Sequence, residues 1–269
     1  MPTPNIPKLA YQTLQHGKIL AGLAHKGLST KLMEMLIPDA VPPINPISKQ
    51  LLIELRRSME SLEKIDWVEA EQGIYPKAQL FDAPWLEWAT RYPMVWLDLP
   101  STWARRRKRN IHDLPKKIDK DLYPEYYLQN FHHQTDGYLS DHSAELYDLQ
   151  VEILFNGTAD CMRRRVLAPL KRGLKKFSHR KSSSIRVLHI ATGTGRTLKQ
   201  IQGAIPKAEL LGLDLSASYL REASRNLNKR EGGLAQLTRG NAENLPFKDA
   251  SIQGITCVFL LHELPKVAR

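Results

Sequence analysis

The chain has 269 residues, 42% hydrophobic and 25% charged, a composition that suits a globular protein with one large core or two smaller ones. Thirty-nine Lys and Arg against 28 Asp and Glu leave a formal charge of +11, which favours anionic partners such as nucleic acid, acidic headgroups or anionic metabolites. No apolar run approaches the roughly 18–20 residues of a membrane span, and Cys161 and Cys257 fit no metal or redox spacing, so a reducing, cytoplasmic setting is expected.

In chain order, the first stretch lacks acids until Glu34 and carries Lys8, Lys18, Lys26 and Lys31, without the arginines and serines of a transit peptide. Leu20, Leu23, Ala24, Leu28 and Leu32 recur at helical spacing and predict an amphipathic helix. The proline cluster of residues 41–46 ends it, and Leu51, Leu55, Met59 and Leu62 mark a second helix. Residues 76–104 hold Pro84, Pro93 and Pro100 among Trp85, Trp88, Trp96 and Trp103; the segment reads as loops and short helices pinned by indoles that serve as packing anchors.

Two basic runs follow, Arg105–Arg109 and Arg163–Arg165, with more Lys and Arg between 171 and 180. The first reading is a solvated helix face or linker; the second is a footprint for RNA or a membrane, which no zinc-finger spacing or RNA-binding aromatic motif supports. Residues 123–138 mix Tyr123, Tyr126, Tyr127, Phe131 and Tyr138 with polar groups, and read either as a lid or acceptor-binding wall or as a packed connector. Asn156-Gly157-Thr158 matches a glycosylation sequon by chance. Leu146, Leu149 and Ile153 predict one further helix, and Leu167, Leu170 and Leu174 another. Lys171–Ser184, basic and then serine-rich, is the expected hinge, so that a helical region, residues 1–180, precedes a second unit, residues 181–269.

Beyond the hinge the pattern alternates between strands, near 185–190, 209–214, 234–239 and 252–260, and helices, the signature of a parallel α/β sheet. The first connecting helix turns Leu198, Ile201 and Ile205 inward and stops at Pro206; the second starts at Ser216, a good N-cap, and buries Leu220, Ala223 and Leu227. The first strand runs into Ala191-Thr192-Gly193-Thr194-Gly195. Glycines at 193 and 195 let the turn backbone approach a ligand, and the helix behind offers free N–H groups. Asp214 ends the second strand 19 positions after Gly195, where an acid can accept both hydroxyls of a ribose. Position 198 is Leu where a dinucleotide fingerprint has its third glycine, which counts against NAD.

Two more segments, Gly240-Asn-Ala-Glu-Asn-Leu-Pro-Phe247 and Ser251–Pro265, complete a set of four blocks in order. In this set the chain resembles class I S-adenosylmethionine-dependent methyltransferases, especially the branch of ubiquinone and menaquinone C-methyltransferases. The resemblance covers about residues 185–265 and is specific as a set. It implies a Rossmann-like α/β core, preceded here by the mainly α-helical region, with S-adenosylmethionine as cofactor and a small-molecule acceptor. Thr192, Gly193 and Gly195 would line the methionine end, Asp214 would bind the ribose hydroxyls and Leu215 would pack on the adenine. Asn241 and Ala242 would sit at the adenine edge, and Phe259 and Leu261 would face the methyl-transfer cleft.

The chain departs from the family pattern at three positions. His189 stands where an acid is usual, and a neutral imidazole offers the cofactor's ammonium only a weaker, uncharged acceptor. Ala191 replaces the first glycine, and Asn241 replaces an Asp. His262-Glu263 lacks the second histidine of a zinc-binding helix, so no metal is expected. His262 is the one candidate for a general base, with a pocket-bounding role as its alternative, and displacement at a sulfonium needs no base. The family sheet has seven strands and the chain ends just past the fourth, so a C-terminally incomplete core is expected. The alternatives to the enzyme are a cofactor-binding remnant without activity and a basic RNA-associated protein.

Overall fold

The computed structural model describes residues 5–41, 47–228 and 235–268. Helices α1 (Ile6–Leu36), α2 (Lys49–Glu71), α3 (Trp85–Lys108), α4 (Asp141–Leu154), α5 (Ala159–Arg164) and α6 (Leu167–Leu174) come first. Then β1 (Arg186–Ile190), α7 (Arg196–Ala204), β2 (Glu209–Asp214), α8 (Ala217–Leu227), β3 (Gln236–Arg239) and β4 (Gly254–Cys257) alternate. The strands form a parallel sheet of order β3-β2-β1-β4, with Val187 opposite both Leu210 and Gly254 and Leu213 opposite Thr238. This is the Rossmann-like α/β arrangement expected from the alternation.

Side chains of β1 alternate between two cores. Val187, with Leu198 and Ile201 of α7, Leu210 and Leu227, faces a large cluster that continues through Leu167 and Leu170 of α6 to Tyr11 and Trp67. Leu188, Leu211 and Leu213 face the other side, against Ala242, Leu245 and Phe247. Leu198 and Ile201 are fully buried, each contributing roughly 1.5–3 kcal/mol of apolar transfer. Ser216 caps α8 as its sequence position predicts, its side chain accepting from the Tyr219 N–H. Of the positions expected inside, Ala223 and Leu227 are buried and Leu220 is half-buried.

Several expectations are corrected. The proline-interrupted segment is one 24-residue helix, α3, with Pro93 and Pro100 inside it. The two prolines lie seven residues apart on one exposed stripe, so the missing N–H groups fall on the side away from the core. Trp88, Val95 and Trp103 anchor the opposite face. On α1 the buried face is Tyr11, Gln15, Gly22, His25 and Met33, while Leu20, Leu23 and Leu28 are exposed. A Cβ at Gly22 would stand 3.0 Å from the Asn156 Cα, so close packing rather than leucine content selects that face. Leu51 and Leu55 of α2 are likewise exposed. Strand β4 is shorter than 252–260, because the chain leaves the sheet with Phe259 at φ 59°. Position 234, the start expected for β3, and positions 42–46 of the proline cluster lie outside the described residues.

The basic runs are not uniformly solvated. Arg105 is buried at the end of α3, donating to the His133 carbonyl and pairing with Asp113, whereas Arg106–Arg109 are exposed. Arg163 and Arg164 are buried. The first four residues of the expected hinge, 171–174, belong to α6, whose Leu170 and Leu174 pack over Gly254 of β4.

Two buried ionic clusters join distant segments. In one, Asp66 of α2 takes a bidentate pair from Arg164 (2.8 and 2.6 Å) and hydroxyl bonds from Tyr11 (2.6 Å) and Tyr75 (2.7 Å). Burial pushes its carboxyl up, but the guanidinium and the donated bonds overcome this and hold it below the usual range. In the other, Asp160 binds Arg196 (2.9 and 2.5 Å) and Arg163, and Asp148 binds Arg163 and the Thr194 hydroxyl (2.7 Å). Against burial, Arg196 keeps Asp160 well below the carboxylate range. Thr194 and Arg196 belong to the glycine turn and the start of α7, so the helical region grips the turn itself.

Candidate functional site

The site lies beyond the C-terminal ends of β1, β2 and β4, where parallel sheets place ligands. β1 leaves the sheet through Ala191 (φ 52°), Gly193 (φ 57°) and Gly195 (φ 80°). Ala191 thus holds a left-handed conformation in which a side chain costs on the order of 1–2 kcal/mol, as expected where a glycine has been replaced. The Gly193 N–H donates to Asp214 Oδ2 (2.7 Å), and the Ser216 N–H to Oδ1 (2.8 Å), locking the ends of β1 and β2 together.

These ends floor a cavity of about 300 Å³. Of the residues singled out by sequence, Gly193, Asp214, Leu215, Asn241, Ala242 and Phe259 line it, as does Leu261. Thr192 and Gly195 do not. The Thr192 hydroxyl is buried and donates to the His189 carbonyl. A Cβ at Gly195 would sit 3.2 Å from the Ala223 Cα, so this glycine lets α7 and α8 approach closely. His189 is also absent from the wall. Its ring is buried between β1 and β4, with Nδ1 2.8 Å from the Thr256 hydroxyl, and burial pulls its pKa down to about 4. It is a neutral packing histidine.

Asp214 is 9% exposed, and burial raises its pKa against the opposing backbone N–H bonds from Ser216, Gly193 and Leu215. No cation pairs with it among the described residues. A carboxylate held there with spare acceptor capacity toward a cavity is suited to hydroxyl donors from a ligand. Asn241 presents its amide beside the cavity, with Oδ1 accepting the Glu243 N–H (3.0 Å) and Nδ2 bonding Glu243 Oε2 (3.0 Å).

The rest of the wall was not assigned residue by residue from sequence. Tyr126, Tyr127, Phe131 and Tyr138, from the aromatic segment, close over the cavity, with Tyr147 of α4 and Tyr219 of α8 behind them. Burial raises the Tyr147 phenol to about 12 and those of Tyr127, Tyr138 and Tyr219 well above 10, so the wall is neutral and protonated. Three contacts clasp the segment across the strand ends: Tyr126 donates to Glu243 (2.6 Å), Arg239 stacks over Tyr123 (5.0 Å), and His132 Nε2 meets Glu263 Oε1 (2.7 Å).

A second cavity of about 620 Å³ adjoins the first, sharing Tyr138, Tyr147, Phe259 and Glu263. Its far walls are helical: His25 and Met33 of α1, Val95 and Trp103 of α3, and Val151 of α4. His262 opens onto this second cavity, not the first, and its side chain is 54% exposed. The strand exit thus places His262 at the second cavity and not over the glycine turn. The second histidine that the His262-Glu263 pair lacked in sequence is supplied by His132.

Residues 187–269 match the family model described as a methyltransferase domain. The demethylmenaquinone methyltransferase of Thermotoga maritima is 34% identical over 121 residues, 45% of this chain and 47% of that protein. The corresponding protein of Lactiplantibacillus plantarum is 31% identical over 139 residues, 51% of this chain and 54% of its own length. A ubiquinone/menaquinone biosynthesis C-methyltransferase of Syntrophotalea carbinolica is 43% identical over 61 residues, covering 23% and 25%. The chain thus spans about half the length of the first two relatives. With the parallel sheet, the glycine turn and the aspartate at the end of β2, residues 187–269 match a methyltransferase domain and are similar to the ubiquinone and menaquinone C-methyltransferases.

Proposed function

We propose that the chain binds S-adenosylmethionine in the cavity over Gly193 and Asp214 and transfers its methyl group to a small aromatic acceptor of the quinol type, held in the adjoining cavity. The observation that carries the reading is the buried, cation-free Asp214 carboxylate at the end of β2, facing a cavity floored by the glycine turn. Asp214 accepts the ribose hydroxyls, Leu215 and Ala242 pack on the adenine, and Asn241 meets its edge. Gly193 presents bare backbone to the methionine portion. When bound, the cofactor supplies a methyl group made electrophilic by its sulfonium.

The tyrosine wall and Phe259 exclude water from that methyl group and align an acceptor entering from the helical side. Displacement at carbon gains chiefly from such alignment and desolvation. The names of the relatives support an aromatic acceptor, as does the aromatic lining shared by the two cavities. Residues 1–180 then serve as the acceptor wall and residues 181–269 as the cofactor unit.

Calorimetric titration of S-adenosylmethionine into the wild type and Asp214→Ala tests the cofactor half. A loss of about 1–3 kcal/mol per unpaired buried group, about 5- to 150-fold in Kd, is expected; equal affinities overturn the ribose role. Labelled methyl transfer to a quinol tests the acceptor half. Binding without turnover marks a cofactor-binding remnant, and salt-sensitive RNA binding without cofactor affinity marks an RNA-associated module.

A further inference from the structure

At the seam between the two cavities, three side chains from two distant segments converge. His132 comes from the aromatic segment, and His262 and Glu263 from the exit of β4, 130 residues later in the chain. One ligand atom from each, the two ring nitrogens and a carboxylate oxygen, lies within 4.8 Å of the others. His132 Nε2 is 2.7 Å and His262 Nε2 3.0 Å from the same oxygen, Glu263 Oε1, and the Tyr138 hydroxyl approaches that oxygen at 3.4 Å. We propose that His132, His262 and Glu263 form a binding site for a first-row divalent transition metal, with zinc as the reference ion.

The donor chemistry selects the ion. Two imidazoles and one carboxylate make the borderline N2O set that zinc, cobalt and ferrous iron favour, whereas magnesium and calcium prefer oxygen alone. Bonds of about 2.0–2.1 Å in a tetrahedron place ligand atoms about 3.3 Å apart. The two contacts to Oε1 therefore need to open by only a few tenths of an ångström, and the imidazole rings, with centroids 6.3 Å apart, are already on either side of the carboxylate. Without a cation, His132 Nε2 and the Tyr138 hydroxyl both bond Glu263 Oε1, and His262 Nε2 stands against the same oxygen. A metal among them is held instead through the nitrogen lone pairs of both rings. The histidine side chains are 59% and 54% exposed and Glu263 is 13%, so the set is anchored by the carboxylate and open on one side.

All three residues line the larger cavity, and only Glu263 also lines the cofactor cavity. The open coordination position thus belongs to the acceptor side. If the methyl-transfer reading holds, an oxygen-bearing acceptor has a Lewis acid there to bind and orient it; this last point rests on that reading, and the metal site does not. The ion also ties the aromatic segment to the β4 exit.

Titration of Zn2+ into metal-stripped full-length protein is expected to give one site, and Co2+ a visible absorption band of the same stoichiometry, while Mg2+ gives neither. His132→Gln weakens zinc binding at least tenfold and abolishes the cobalt band, and so do His262→Gln and Glu263→Gln. The His132 side chain is mostly exposed, so its variant tests the site even where Glu263→Gln disturbs folding. The zinc and cobalt titrations use no S-adenosylmethionine and the Asp214→Ala titration uses no metal, so failure of this site and failure of the cofactor reading are read separately. Absence of stoichiometric zinc binding, or binding unchanged in His132→Gln because other histidines hold the metal, overturns the proposal.

Discussion

At the scale of single residues, position 189 shows how one substitution is absorbed. The family places an acid there to face the cofactor; here an imidazole turns into the sheet and bonds Thr256. A histidine with a folded pKa of about 4, against about 6.5 when unfolded, binds its proton more readily in the unfolded chain. Its contribution to stability is therefore complete above pH 6.5 and is lost as pH falls toward 4. The shift corresponds to a loss on the order of 3 kcal/mol. Urea melts at pH 7 and pH 4.5 are expected to show a smaller difference in His189→Asn than in the wild type, because the asparagine cannot titrate. An identical difference in both proteins would place the acid sensitivity elsewhere. Asp214 and Gly193 were legible in sequence because their signal is local, a turn residue and a strand-end acid at fixed spacing. Gly195 was legible as a glycine but not as a packing glycine, since Ala223, the atom it must approach, sits on another helix.

Among elements, the aromatic segment between α3 and α4 does most to shape the site, and it has little regular structure of its own, only short 3-10 turns near Glu125–Tyr127 and Phe131–His133. Its order comes from stacking, Tyr123 on Tyr127 and Phe131 on Tyr138, and from its clasps to the strand exits. Tyr126→Phe removes one clasp while keeping the ring. Amide exchange across residues 123–138 is expected to quicken with the global melting temperature unchanged, as a local opening requires; unaltered exchange would show that the tyrosine hydroxyl holds nothing. The composition of this segment flagged it, yet no periodicity could have said which face it covers. Helix α3 was misread for a related reason. Proline content argues for a break, and only the spacing of Trp88, Val95 and Trp103, a single face opposite Pro93 and Pro100, signals that tertiary packing overrides it.

For the whole molecule, the least legible feature is the pair of buried ionic clusters. Arg163 has Asp160 three positions before it, but Arg164 reads as part of a solvated run because its partner is remote; Asp66 is 98 positions from Arg164. Asp66→Ala leaves that guanidinium buried and unpaired, and should cost about 3–5 kcal/mol. Chemical denaturation checks this, and a loss below about 1 kcal/mol would mean that water reaches the pair. The alternating pattern beyond residue 185, by contrast, disclosed the sheet and its crossovers before any contact was known. Strand order and the helical wall behind the second cavity required the structure.

The second cluster bears on the order in which the chain can assemble. Asp148 and Asp160 emerge from synthesis with Arg163 but before Thr194 and Arg196, which complete their bonds. Lys18 and Arg163 already face this cluster, and the glycine turn adds the bidentate Arg196 pair to Asp160 and the Thr194 hydroxyl to Asp148. The segment that floors the cavity thus also completes the charge pairing of α4 and α5, so that disturbing either one disturbs the other.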